Sequence, residues 1–190
     1  AWLNYKKVTC KEETKLLGEI YYFQENPILV NATAELETAL TQMLGISVTS
    51  RRIEKGEEAN LPSGVILKVE ESSSLAKEGY KIIRAENKIF IEGKEPAGVL
   101  YGVFHLIRLV GCGESIEKLA IEQAPSNPNR MLNHWDNIDG SIERGYAGKS
   151  IFFDQENILL NDRTKDYARL CASVGINGVV INNVNVKGAA

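Results

Sequence analysis

Apolar residues recur at helical spacing in the stretch that follows residue 33. The stripe consists of Leu36, Leu40, Met43 and Leu44. This spacing of i, i+4, i+7 and i+8 predicts an amphipathic helix. We expect Thr33 to cap the helix and Gly45 to end it. The apolar run at residues 28–30 predicts a buried strand just before it.

Short apolar runs between polar segments predict strands over the next part of the chain. They are residues 46–48, 65–69, 80–84, 88–92 and 116–121. Glu86 and Asn87 separate two of these runs, which is typical of a tight hairpin turn. Residues 51–64 and 71–79 are polar and contain turn formers, so we expect loops there.

A second helix is predicted to begin at Pro96, because proline suits the first turn of a helix. Apolar residues give it a broad buried face, and Gly111 and Gly113 end it. Alternating strands and helices around one sheet predict an α/β domain with mixed pairing over residues 1–124. Pro125 and Pro128 mark a linker after it.

Residues 127–190 have a different pattern. A strand is predicted at residues 130–134, then a polar loop, a helix at residues 163–173 and a strand at residues 179–181. We expect Asp162 to cap that helix and Gly175 to follow its end. A strand, a helix and a strand are the unit of a parallel sheet, and the unbroken apolar run at 179–181 suits a strand buried on both faces.

Polar residues follow both of these strands, and in a (β/α)8 barrel the functional residues lie at the carboxyl ends of the strands. A closed barrel needs eight units, whereas residues 127–190 hold fewer than two. We therefore expect them to continue into a longer protein, to pack on the first domain, or to be poorly ordered.

Composition is that of a soluble globular protein, with 44% hydrophobic and 25% charged residues. The net charge of -3 does not favour nucleic acid or an anionic membrane as a partner. The N-terminus has no signal-peptide core, so we expect a cytoplasmic protein. Because Ala1 is not an initiator Met, removal of a leader and a secreted or periplasmic origin stay open.

Several residues suggest chemistry that their context does not support. The three cysteines, Cys10, Cys112 and Cys171, are too far apart for a metal knuckle, and we expect buried thiols. His105 and His134 have no second histidine at metal-ligand spacing, so we expect structural roles for them and no metal or cofactor. Gly98 and Gly102 have the spacing of close helix packing rather than of a phosphate loop.

Residues 134–152, HWDNIDGSIERGYAGKSIF, closely resemble the start of the catalytic barrel in family 67 α-glucuronidases. Residues 1–5, 98–108 and 175–185 agree with the same family. The resemblance therefore covers essentially the whole chain.

The resemblance implies the amino-terminal part of a longer glycosidase that releases α-1,2-linked glucuronic acid, or its 4-O-methyl ether, from xylo-oligosaccharides with inversion. It implies an α/β domain like the accessory domain of hexosaminidase-like enzymes, then a (β/α)8 barrel and a helical region. Inverting hydrolysis needs a carboxylic acid and a carboxylate base. In this family both lie on later strands, so we expect them beyond Ala190 and expect residues 1–190 alone to be inactive. A homodimer of the full-length enzyme is possible.

The candidate substrate-binding residues are Trp135, Asp136, Asn137, Glu143, Arg144, Asn182, Asn183 and Asn185. Trp135 matches the family tryptophan of the uronic-acid pocket, although a barrel-core role is the alternative. For the polar residues, sugar contacts compete with closing a turn, holding a loop or supporting other site residues. Tyr146 between Gly145 and Gly148 resembles a flexible aromatic lid. The alternatives to an enzyme are a carbohydrate-binding or assembly module and a structural domain without a ligand.

Overall fold

The computed structural model describes residues 3–8, 15–155 and 157–183. The chain divides into two compact units, Ala1–Pro128 and Asn129–Ala190. No helix of the described residues combines the length and apolar character that a membrane span requires.

The first unit is built on a six-stranded mixed sheet. Its strands are β1 (Glu19–Tyr22), β2 (Thr49–Arg52), β3 (Gly64–Val69), β4 (Tyr80–Ala85), β5 (Lys88–Gly93) and β6 (Ala120–Gln123). The spatial order is β2-β1-β3-β5-β4-β6. Pairing is parallel from β2 to β5, whereas β4 runs antiparallel to both β5 and β6. The predicted α/β class, mixed sheet and hairpin are confirmed.

Two helices pack on each other and on this sheet, α1 (Pro27–Leu44) and α2 (Pro96–Gly111). Glycines let α2 approach the strands closely. A Cβ atom on Gly98 would lie 2.3 Å from the Gly79 carbonyl oxygen, and one on Gly102 would lie 2.6 Å from a methyl of Ile91. The prediction that this glycine spacing serves helix packing is confirmed.

The strand predicted at residues 28–30 is wrong, because these residues form the first turn of α1. Asn26 caps the helix by accepting a hydrogen bond from the Ile28 amide at 2.9 Å, and Pro27 occupies the first helical position. Thr33 is not the cap; its hydroxyl donates to the Leu29 carbonyl at 2.8 Å within the helix. Three apolar residues are too few to show a period, so the cap and the proline were the better signal.

Strand positions at the sheet edges also differ from the predictions. Edge strands β2 and β6 begin three and four residues later than predicted, and β1 was not predicted. Pairing with the central strands selects their register, which local apolar content does not show. Cys112 is exposed rather than buried, Cys171 is buried, and Cys10 lies outside the described residues.

The second unit has a parallel pair of strands, β7 (Met131–His134) and β10 (Gly178–Ile181), with α3 (Asp162–Ser173) between them in the chain. The order strand, helix, parallel strand is confirmed. A short hairpin, β8 (Phe153–Asp154) with β9 (Asn157–Ile158), lies in the connection and was not predicted.

Two local predictions in this unit are wrong. Asn161 caps α3 rather than Asp162, since its side chain accepts from the Arg163 and Thr164 amides. Strand β10 is not buried on both faces, because Val179, Val180 and Ile181 are 38–40% exposed. In the described structure this strand has one neighbouring strand, which leaves much of its apolar surface uncovered.

Candidate functional site

The loop that follows β7, residues 135–150, is closed by backbone hydrogen bonds. The Glu143 amide donates to the Trp135 carbonyl at 2.7 Å, and the Asn137 amide donates to the Ser141 carbonyl at 2.8 Å. The Ser150 amide donates to the Gly140 carbonyl at 2.8 Å. These bonds fix the backbone on which Trp135 is carried.

Asn137 is buried and uses its side chain to brace this loop. Its amide nitrogen donates to the Ser141 hydroxyl at 2.9 Å and to the Glu143 carbonyl at 2.7 Å. Glu143 is thus held both from its own amide and through its carbonyl, in a left-handed conformation with φ of 52°. In this structure Asn137 has the loop-closing role that was one of its two predicted alternatives.

Asp136 is also buried, with 3% of its surface exposed, and its carboxylate accepts a hydrogen bond from the Ser150 hydroxyl. The same hydroxyl oxygen accepts from the Phe152 and Phe153 amides at 2.9 and 3.0 Å. The His134 ring nitrogen Nδ1 lies 3.8 Å from the other carboxylate oxygen. Asp136 therefore ties the start of the loop to its end, because a buried carboxylate requires such partners.

His134 connects this carboxylate to α3. Its Nε2 forms a hydrogen bond of 2.5 Å with the Tyr167 hydroxyl, and its ring packs edge-on against Phe152 and Tyr167. Burial, the neighbouring Cys171 and the charge of Asp136 together raise the pKa of Tyr167 to about 12. The predicted structural role of His134 is confirmed, and Tyr167 is its partner.

The exposed side chains of the loop include Trp135, which is 48% exposed, Arg144, and Tyr146, which is 75% exposed. Within the described part of the chain, Arg144 has no hydrogen bond or ion pair. Hydrogen bonding to the Glu143 carboxylate, and its negative charge, raise the pKa of the Tyr146 hydroxyl. Gly145 and Gly148 on either side of this tyrosine have positive φ angles and open space around them.

Asparagines meet at the carboxyl ends of β7 and β10. The Asn182 amide donates to the His134 carbonyl at 2.7 Å, and its side chain donates to the side-chain oxygen of Asn133. The side-chain oxygen of Asn183 accepts from the Ile138 amide at 3.3 Å, which links β10 to the loop. Asn185 lies outside the described residues.

The structure therefore brings Trp135, Asn182 and Asn183 together around the end of β7, and it leaves Arg144 on the outer part of the loop. An aromatic face beside side-chain amides can bind a sugar ring, and a guanidinium can bind a carboxylate. Among the described residues, no group of three His, Cys, Asp or Glu side chains is arranged to hold a metal ion. Sequence reasoning missed Asn133, Ser150 and Tyr167; a polar residue within the apolar β7 was the available signal for Asn133.

Two family models match this chain, and both belong to one glycosyl hydrolase family. Residues 1–106 match the model of the glycosyl hydrolase family 67 N-terminus, and residues 109–190 match that of the family 67 middle domain. A probable alpha-glucuronidase A of Aspergillus terreus is 36% identical over 98% of this chain and 24% of the relative. An alpha-glucuronidase of Hypocrea jecorina is 32% identical over 97% of this chain and 24% of the relative.

A solved structure shows the same fold at low identity. The GH20 exo beta-N-acetylglucosaminidase of Vibrio harveyi superposes with a TM-score of 0.54 and 16% identity over 87% of this chain and 22% of that one. The chain spans about a quarter of the length of the curated relatives that it matches. Since both family models match in order along the chain, it belongs to glycosyl hydrolase family 67, with the N-terminal domain followed by sequence of the middle domain.

Proposed function

We propose that this chain is the amino-terminal part of an α-glucuronidase and that it supplies one wall of the substrate pocket. The substrate is an α-1,2-linked glucuronic acid, or its 4-O-methyl ether, on a xylo-oligosaccharide, and the linkage is hydrolysed with inversion. The observation that carries this proposal is Trp135, half-exposed at the end of β7 and held there by the buried Asp136 and Asn137, in a family 67 chain.

We further propose that residues 1–124 form an accessory domain and that residues 127–190 begin a catalytic (β/α)8 barrel. The parallel pairing of β7 with β10 supports this, as does the position of Trp135 and Asn182 after the strand ends. In such barrels the carboxyl ends of the strands carry the functional residues.

Each candidate residue has a distinct role in this proposal. Trp135 covers a face of the sugar, and Arg144 pairs with the substrate carboxylate when the loop faces it. Asn182 and Asn183 line the adjacent edge, and Asn185 is a further candidate for a sugar contact on the sequence alone. Asp136, Asn137 and Glu143 hold the wall in shape, since their described hydrogen bonds lie within the loop.

The catalytic acid and base are placed in sequence that follows Ala190, so residues 1–190 alone should release no glucuronic acid from aldouronic acids. The complete protein should release it, with the β-anomer formed first because hydrolysis inverts the α-linkage. Turnover by the 190-residue chain would refute the placement of the acid and base. If the complete protein binds these sugars without turnover, it is a carbohydrate-binding module instead.

Replacing Trp135 by alanine in the complete protein should lower kcat/KM for aldouronic acids by about tenfold, because covering a large apolar side chain contributes roughly 1.5 kcal/mol or more. Steady-state kinetics on purified enzyme measure this. Leu160→Ala, which removes an apolar side chain that is 86% exposed and lies outside this loop, serves as the control. Unchanged kcat/KM for the Trp135 variant would assign this residue a structural role.

A further inference from the structure

Asn133 and Asn182 lie on the face of the β7–β10 pair that points away from α3. His134 contacts Tyr167 of α3, and Val179 and Ile181 line a cavity of about 450 Å³ together with residues of the same helix. Side chains alternate along a strand, so Asn133 and its register partner Val180 lie on the opposite face. Continuing this alternation past the strand ends places Trp135 and Asn182 on the face of Asn133.

The two asparagines form a pair with unused hydrogen-bonding groups. The Asn182 side chain donates to the Asn133 side-chain oxygen at 2.5 Å, and both residues are exposed. Within the described residues, the remaining Asn133 amino group and Asn182 oxygen form no other hydrogen bond. If the oxygen and nitrogen positions are exchanged in both side-chain amides, one donor and one acceptor still face outward.

A neighbouring donor and acceptor match the chemistry of two adjacent sugar hydroxyls, each of which can both donate and accept. The strand backbone restrains the pair, because Asn133 lies within β7 and the Asn182 amide continues the ladder to the His134 carbonyl at 2.7 Å. A restrained pair loses little conformational freedom when a ligand binds. The half-exposed indole of Trp135 follows on the same face and supplies the apolar surface that a pyranose ring needs.

We propose that Asn133 and Asn182 bind two vicinal hydroxyls of the uronic-acid ring as one donor–acceptor unit, and that Asn133 is thus a substrate-binding residue of the site. This inference rests on the proposed function, since it assumes that the Trp135 wall faces a uronic acid. Its ligand class is a pyranose with two adjacent free hydroxyls next to the face that Trp135 covers.

The test measures binding of glucuronic acid and its 2-, 3- and 4-deoxy analogues to the complete protein by calorimetry. Asn133→Ala and Asn182→Ala should each lower the affinity for glucuronic acid by about three- to tenfold, which is the effect of losing one neutral hydrogen bond. Each variant should bind one deoxy analogue as tightly as the unmodified protein does, because that analogue lacks the hydroxyl that the replaced asparagine binds. The analogues identified in this way for the two variants should lack neighbouring hydroxyls. Asn157→Ala, which removes an exposed amide on β9, should leave every affinity unchanged.

An equal loss of affinity for glucuronic acid and all three analogues would overturn the inference, because a general distortion of the site does not distinguish one hydroxyl from another. Unchanged affinity in both variants would overturn it as well. If the Asn133→Ala variant does not fold, Asn133→Ser is measured instead, because serine keeps a polar side chain at this position. If the unmodified protein does not bind glucuronic acid, the proposed function fails and the inference with it; if it binds and the variants match it, only the inference fails.

Discussion

Asp136 and Ser150 show how single side chains determine the shape of the loop after β7. A carboxylate that is 3% exposed lacks hydration, so its stability in the fold depends on the hydrogen bond from Ser150 and on His134 nearby. The same serine accepts two backbone amides, and it therefore joins the end of the loop to the carboxylate at its beginning.

Replacing Ser150 by alanine should destabilise the second unit by about 1–3 kcal/mol, since it leaves a buried carboxylate and two amides with fewer partners. Denaturant unfolding followed by circular dichroism measures this change. Ser74→Ala, at an exposed serine, should change the free energy of unfolding by no more than about 0.5 kcal/mol. Equal stability of the two variants would show that the Asp136 network contributes little.

These residues also mark the limit of sequence reasoning about the site. The order His-Trp-Asp-Asn identifies the tract as polar and aromatic, but adjacent residues differ completely in exposure. Trp135 is half-exposed, whereas the next two side chains are buried. That difference arises because Ser150 and Ser141, which lie 14 and 4 residues further along the chain, fold back onto them.

At the scale of secondary-structure elements, α2 packs closely on the sheet of the first unit. Gly98 faces the backbone of Gly79, and Gly102 faces Ile91 on β5. The apolar face of the helix, which includes the buried Val99, Val103 and Leu106, packs against strands β4 and β5. The sequence pattern identified this helix and its glycine spacing correctly, because both the apolar period and the small residues are local features.

Gly98→Ala should destabilise the first unit by about 1–3 kcal/mol, because the new methyl group would lie 2.3 Å from a backbone oxygen that cannot easily move. Thermal unfolding of the 190-residue chain is the measurement. Gly111→Ala in the same helix is the matched control, since its Cβ would meet only the Met43 sulfur at 3.4 Å. We expect that control to be neutral or stabilising, as alanine favours helix over glycine. Similar unfolding temperatures for both variants would contradict the close packing of α2.

Over the whole molecule, apolar burial is distributed unevenly between the two units. In the described residues, nearly all buried hydrophobic side chains belong to the first unit, and Cys171 is the one in the second. Exposed apolar residues are common in the second unit, including Leu160, Ile158 and Val174. Hydrophobic burial is the main stabilising contribution to folding, so the second unit should open more readily in the 190-residue chain.

Hydrogen exchange should therefore be faster for the amides of β7 and β10 than for those of β3 and β5, which provide the internal control. Exchange measured by mass spectrometry on the 190-residue chain tests this, and protection of β7 in the complete protein should increase if further strands cover it. Equal protection of the two strand pairs in the 190-residue chain would show that the second unit is stable without additional packing.

By itself, the sequence determined the family, the mixed α/β class, the β4–β5 hairpin, the Gly45 cap of α1 and the parallel order of the second unit. All of these depend on local periods, turn residues or extended motifs. Tertiary structure alone decided the strand register at the sheet edges, the burial of Asp136 and Asn137, and the meeting of Asn133 with Asn182. These features depend on contacts between residues far apart in the chain, and the free energy of such contacts is not encoded in any one segment.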